Sequence, residues 1–104
     1  MRKAKILVNG ADAGVLSEIK FGTQYIFEYY DVYNGPEVSR TMPIKQKKYS
    51  FDKFPPFFEG LLPEGFQLEG LLQLKKIDKN DYFSQLITVG EDLIGVITVK
   101  EILE

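Results

Sequence analysis

Glu59, Glu64 and Glu69 stand at intervals of five around Pro63. Two converging carboxylates can share acid–base work, one carrying a proton while the other removes one. The simpler reading makes Glu64 a helix-start residue, favoured there by the helix dipole, with solvent-facing neighbours. Glu91-Asp92 poses the same choice between a cation ligand pair and a polar turn between helix and strand, the turn being the stronger reading. Lys45, Lys47 and Lys48, flanked by Tyr49 and Phe51, could touch phosphates, or form a solvated loop, which suits the acidity of the whole chain better. Absences narrow the rest. Without His or Cys there is no Ser-His-Asp or Cys-His nucleophile and no zinc site built from those ligands. There is no Gly-x-x-x-x-Gly-Lys-Ser/Thr or Gly-x-Gly-x-x-Gly phosphate cradle and no His-Arg-Asp or Asp-Phe-Gly element, hence no recognisable kinase machinery. No catalytic residue, metal or cofactor is expected, and a carboxylate-dependent hydrolase is the remote alternative.

The densest segment is Phe54 to Phe66, with three prolines, two glycines, four phenylalanines and two leucines. Such a segment has little backbone freedom when unfolded and orders at low entropic cost. Phe57, Phe58, Leu61 and Leu62 read mainly as core. Phe66 follows Gly65, off the stripe set by Leu68, Leu71 and Leu72. A rigidly held exposed aromatic there is a typical binding anchor; the alternative is that it packs back on the sheet. Glu59, Glu64 and Phe66 are the exposed candidates.

The elements that must position these residues change period along the chain. Ala4, Ile6 and Val8 alternate with polar neighbours, as in a half-buried strand. Asn9-Gly10 and the run to Gly14 are turn chemistry. Val15, Ser17, Ile19 and Phe21 share one face of a second strand, and Gln24 to Tyr30 is a third, completing a meander. Val38 to Met42 reads as a short edge strand, followed by the basic loop. Pro55-Pro56 opens a short helix. A second begins near Glu64, buries Leu68, Leu71, Leu72 and Leu74, and ends at Lys75-Lys76. A third is capped by Asp78, carries Tyr82, Phe83, Leu86 and Ile87, and ends at Gly90. Leu93 to Val99, apolar on both faces, reads as an interior strand returning to the N-terminal sheet. The expectation is an α+β fold: a small, mostly antiparallel sheet packed with about three short helices.

Composition bounds the function. The chain has 104 residues, 44% of them apolar, with eight Phe, six Tyr and a net charge of −2. That is material for one core and one domain, 1–104, and argues against disorder. Thirteen basic residues against fifteen acidic give no large basic field, so direct nucleic-acid binding is not expected. No signal peptide or stretch of membrane-spanning length is legible, and with no Cys the expected setting is the cytoplasm.

Pro56-Phe-Phe-Glu-Gly-Leu-Leu-Pro-Glu-Gly65 resembles the signature of the N-terminal subdomain of HipA-type serine/threonine kinases. Val8-Asn9-Gly10 with Gly14 and Leu16 resembles the family's opening hairpin. Ser39-Arg-Thr-Met-Pro43 resembles its Ser-x-Ser-Met-Pro stretch, and Gly90 to Val99 its closing strand. Together these cover nearly the whole chain. Arg40 replaces a usually apolar residue, Thr41 a common Ser and Val96 a common Ala, and an Arg beside Met42 suggests an edge facing solvent or a partner. In the full-length kinases this subdomain precedes the catalytic core; free-standing copies resemble HipS of the three-component HipB–HipS–HipT toxin–antitoxin systems. The resemblance implies a non-catalytic antitoxin that binds and restrains a HipT-like kinase, with a HipB-like protein supplying DNA binding. A non-inhibitory subunit completing a split kinase is the alternative. Phe66, Glu64, Gly65, Glu59 and Arg40 are the implied partner-binding candidates.

Overall fold

The computed structural model describes residues 1–93 and 95–103 and, within them, every side chain except that of Phe66. Five strands form one antiparallel sheet: β1 (Arg2–Val8), β2 (Ala11–Lys20), β3 (Gln24–Tyr29), β4 (Lys48–Phe51) and β5 (Ile97–Ile102), in the order β4-β3-β2-β1-β5. Three helices, α1 (Pro56–Glu59), α2 (Gly65–Lys75) and α3 (Tyr82–Val89), lie between β4 and β5 in sequence. This is the expected α+β arrangement, with the last strand returning beside the first.

The meander follows from local chemistry. Asn9 (φ 51°) and Gly10 (φ 82°) both take left-handed backbone, which a two-residue hairpin turn requires and this dipeptide favours. The turn is tighter than expected, because β2 resumes at Ala11. A bulge between Ile6 and Leu7 then resets the alternation. Gly14 is held to glycine by contact: a Cβ there would lie 2.4 Å from the Glu28 carbonyl oxygen.

One sheet face carries the core. Ala4, Ile6, Leu16, Phe27, Tyr29 and Val99 are almost fully buried there, and Phe58, Phe83 and Leu86 join them in one cluster. Phe27 packs on Phe58 at 5.8 Å between centroids and edge-on to Tyr29 at 4.9 Å. On β2 the inward residues are Leu16 and Glu18, whereas Val15, Ser17 and Ile19 are half-buried and Phe21 is exposed. Val15, Ser17 and Ile19 therefore mark the outer face of β2, and Phe21, expected in the same row, lies in the turn beyond the strand. Register against β1 and β3 decides the side, and it admits a charged inward residue because that residue has partners.

Four sequence expectations are corrected. Val38 to Met42 is not a strand: it holds only an isolated bridge between Ser39 and Met42. The edge strand is β4, inside the expected basic loop, where Tyr49 and Phe51 pair with Phe27 and Tyr25. The closing strand starts at Ile97, because Gly95 (φ 105°) bends the chain before it. That strand lies at the sheet edge, with Ile97 and Val99 buried and Lys100 exposed; Ile94, within the expected strand, lies outside the described residues. The α3 cap is Asp81, whose carboxylate accepts the Ser84 backbone N–H at 3.1 Å, while Asp78 accepts from the Asn80 N–H in the turn before it.

One cation joins β1, β2 and the start of α3. Arg2 donates to Glu18 at 2.7 and 2.8 Å, to Asp81 at 2.8 Å and to Ser84 at 2.7 Å. Its guanidinium also lies 5.0 Å from the Phe83 ring centre. Glu18 accepts a further bond from the Tyr25 hydroxyl at 3.2 Å, so its burial leaves no oxygen unpartnered. The hydrogen bond to Glu18 is the largest influence on Arg2 and outweighs burial, raising its pKa well above the usual range. Burial pushes Asp81 upward, but the hydrogen bonds from Arg2 and Ser84 prevail and lower its pKa.

Candidate functional site

The candidate residues fall in two places. Arg40 sits with Thr41 at the tip of the Ser39–Met42 turn, both exposed. The base of that turn is tied to β3 by one side chain: the Tyr29 hydroxyl accepts the Val38 N–H at 2.9 Å and donates to the Met42 carbonyl. Burial raises the Tyr29 pKa above the ordinary tyrosine value. Within the turn, the Thr41 N–H bonds Ser39 Oγ at 3.2 Å and the two hydroxyl oxygens are 2.9 Å apart. Arg40 is thus presented on a constrained turn, with no carboxylate paired to it among the described residues.

Glu59, Glu64 and Gly65 belong to the second place. Pro55 and Pro56 start α1, which lasts one turn and buries Phe58 while Glu59, its last residue, stays exposed. Gly60 closes it, and the chain reaches Pro63 and Glu64 in extended form (Glu64 φ −129°, ψ 164°). Gly65 then takes φ 59°, a left-handed value suited to a residue without Cβ, and α2 begins. Phe66 is the second residue of α2; whether its ring is exposed lies outside the described residues.

A groove of about 600 Å³ opens beside this turn, lined by Leu61, Leu62, Glu64, Val89, Asp92 and Leu93. Its α2 wall is Gln67. Leu62 belongs to the core cluster, and Leu61, Val89 and Leu93 pack against it, so the groove floor is the edge of the core. Of the three spaced glutamates only Glu64 is among the lining residues, and it shares the groove with Asp92, a pairing of positions that sequence spacing could not reveal. Neither carboxylate has a hydrogen-bond or ion-pair partner among the described residues. No group of three His, Cys, Asp or Glu residues capable of holding a metal occurs among the described residues, and Glu91 pairs weakly with Lys100 at 3.9 Å. No described helix is long and apolar enough to cross a membrane.

The second helix departs from expectation. Leu68, Leu71 and Leu72 are only half-buried, none belongs to the core cluster, and Leu74, expected in the buried stripe, is 79% exposed. Leu68, Leu71 and Leu72 share one face at i, i+3 and i+4, and Leu74 lies off that face.

Comparison with known proteins accounts for this layout. The HipA N-terminal domain family matches residues 4–100. An uncharacterized protein of Haemophilus influenzae (strain Rd) is 31% identical over 101 residues, which is 97% of this chain and 93% of that protein. A solved structure of the N-terminal domain of HipA toxin superposes with a TM-score of 0.78 at 29% identity, covering 100% of this chain and 95% of the other. The matched span includes the opening hairpin, the Arg40 turn, the groove and the closing strand: this chain belongs to the HipA N-terminal domain family.

Proposed function

We propose that this chain is the antitoxin subunit of a HipA-type toxin–antitoxin system, one that binds and neutralises a HipT-like serine/threonine kinase. The observation that carries the reading is the family match across residues 4–100 in a sequence without His, Cys or any kinase signature. A HipA-related toxin–antitoxin component is what that family indicates; the inhibitory role is the step beyond it. The relative of nearly equal length in H. influenzae supports a role for the domain by itself.

In this reading the chain is not an enzyme. It docks on a kinase core as its family counterpart packs beside one, and a HipB-like DNA-binding protein completes a ternary complex. Glu59, Glu64, Gly65 and Phe66 form one contact region and Arg40 another, an exposed arginine on a constrained turn being well suited to a partner carboxylate or phosphate. Phe66 reaches toward the kinase's nucleotide or substrate cleft.

The test is co-expression with a HipT-like kinase, followed by copurification, growth and kinase activity. A stable complex with restored growth and reduced phosphorylation supports the antitoxin role. A complex with unchanged or raised activity makes the chain a structural subunit of a split kinase. Phe66→Ala that inhibits as well as wild type removes the role given to that ring.

A further inference from the structure

We infer that the groove at the edge of the core is a docking site for a short partner segment in which an apolar side chain is flanked by Lys or Arg. The inference rests on the reading of the chain as a binding subunit and names the chemistry of what it binds there.

Charge is distributed unevenly around the molecule. All thirteen basic residues lie at positions 2–53, 75–79 and 100. From Phe54 to Leu74 there are three glutamates and no Lys or Arg; from Asn80 to Val99 there are Asp81, Glu91 and Asp92 and again no base. These two segments supply all the lining of the groove. Asp81 is taken up by Arg2, and four of the remaining carboxylates lie at or next to the apolar floor. Glu64 and Asp92 line it and Glu59 and Glu91 flank it, all four exposed. Glu91 has one ion-pair partner among the described residues, Lys100 at 3.9 Å.

Apolar floor and acidic rim together specify an occupant. A volume of about 600 Å³ falls within the range of small-ligand pockets and admits one or two large side chains. Leu61, Val89 and Leu93 are half-buried against the core, so an incoming Leu or Phe completes packing that is already fixed. Carboxylates at the rim attract a flanking Lys or Arg and repel an acidic segment, which gives orientation and selectivity more than raw affinity. Neither rim carboxylate has a structural duty: Glu64 makes no capping bond to α2, so neutralising it leaves the fold intact.

The experiment is methyl NMR on the full chain titrated with two synthetic probes, Lys-Leu-Leu-Lys-Leu and Glu-Leu-Leu-Glu-Leu. The basic peptide is expected to shift the methyls of Leu61, Val89 and Leu93. Its affinity should fall at least about fivefold in Glu64→Gln/Asp92→Asn, and also in about 500 mM salt, where exposed charges are screened. The acidic peptide should shift nothing. Equal responses to both peptides, shifts centred elsewhere, or no response to either would overturn the inference. So would dimerisation of the free chain through the groove, which would make a second copy the occupant. A HipT-like kinase that binds while these methyls stay unshifted removes the groove and leaves the antitoxin reading standing. A groove that takes the basic peptide, in a chain that neither binds nor inhibits such a kinase, removes the antitoxin reading and leaves the groove.

Discussion

The sheet with α3, and the segment from Gly60 to Ile77 that contains α2, are held by different means. In the first, β1, β2 and α3 are tied by Arg2 to Glu18, Asp81 and Ser84, and the end of α3 touches β5 through the Val99 N–H bonded to the Gly90 carbonyl at 2.9 Å. In the second, α2 opens on a left-handed glycine, has no side-chain cap, carries Gly70 in its interior and leaves Leu74 in water. An eleven-residue helix with an interior glycine is marginal in isolation. The stable half is a platform, and the weak half carries or borders most of the residues proposed for binding. Binding surfaces are commonly drawn from the least stable parts of a domain.

Gly90→Ala should separate the halves most sharply. A Cβ there would lie 2.1 Å from the Val99 carbonyl oxygen, so β5 must move away from α3. We expect a loss of more than about 3 kcal/mol in urea unfolding, in the range of severe core disruptions. Helix termination does not explain this glycine: its φ of −57° is open to any residue, and only the approach of β5 excludes a side chain.

Arg2→Met should follow, costing about 2–4 kcal/mol by leaving Glu18 buried without its cation. Double-mutant cycles pairing Arg2→Met with Asp81→Asn and with Glu18→Gln measure how the cost divides. The same contacts set an acid limit. The folded-state pKa of Asp81 lies below the ordinary aspartate value, so its contribution is complete above that value and is lost as pH falls through the lower folded pKa. Unfolding midpoints should therefore drop below about pH 4 in wild type, and less steeply in Asp81→Asn.

Smaller effects belong to α2. Hydrogen exchange should show its amides opening at far lower free energy than those of β1 and β2, and a partner-bound complex should reduce the difference. Gly70→Ala, with nothing within 4 Å of the added Cβ, should strengthen the helix by roughly 0.5–1 kcal/mol. Leu74→Gln should leave the unfolding midpoint within about 0.5 kcal/mol of wild type. A large loss there would mean that α2 is packed after all.

Much of this was legible in the residues. Asn9-Gly10 specifies its turn, the alternation of Ala4, Ile6 and Val8 specifies a buried strand face, and Pro55-Pro56 specifies a helix start. Each works through φ, ψ or side-chain period, which are local. The expectations that failed concern choices that local chemistry leaves open. Lys48 to Phe51 is lysine-led and short, and becomes a strand because β3 offers an edge. Leu74 looks like core in a leucine-rich helix, and is exposed because none of the described residues covers that side of α2. Asp78 and Asp81 are equally good caps by type; Arg2, some eighty residues earlier, sits against Asp81.

The sequence by itself determined the α+β order of elements, the family and the absence of any nucleophile arrangement built on His or Cys, because these depend on residue type and short spacing. Only the tertiary structure decided which side of β2 faces inward, why position 90 must be glycine, and that Glu64 and Asp92 line one groove. Those facts depend on register and on contacts between residues far apart in the chain, and no local pattern encodes them.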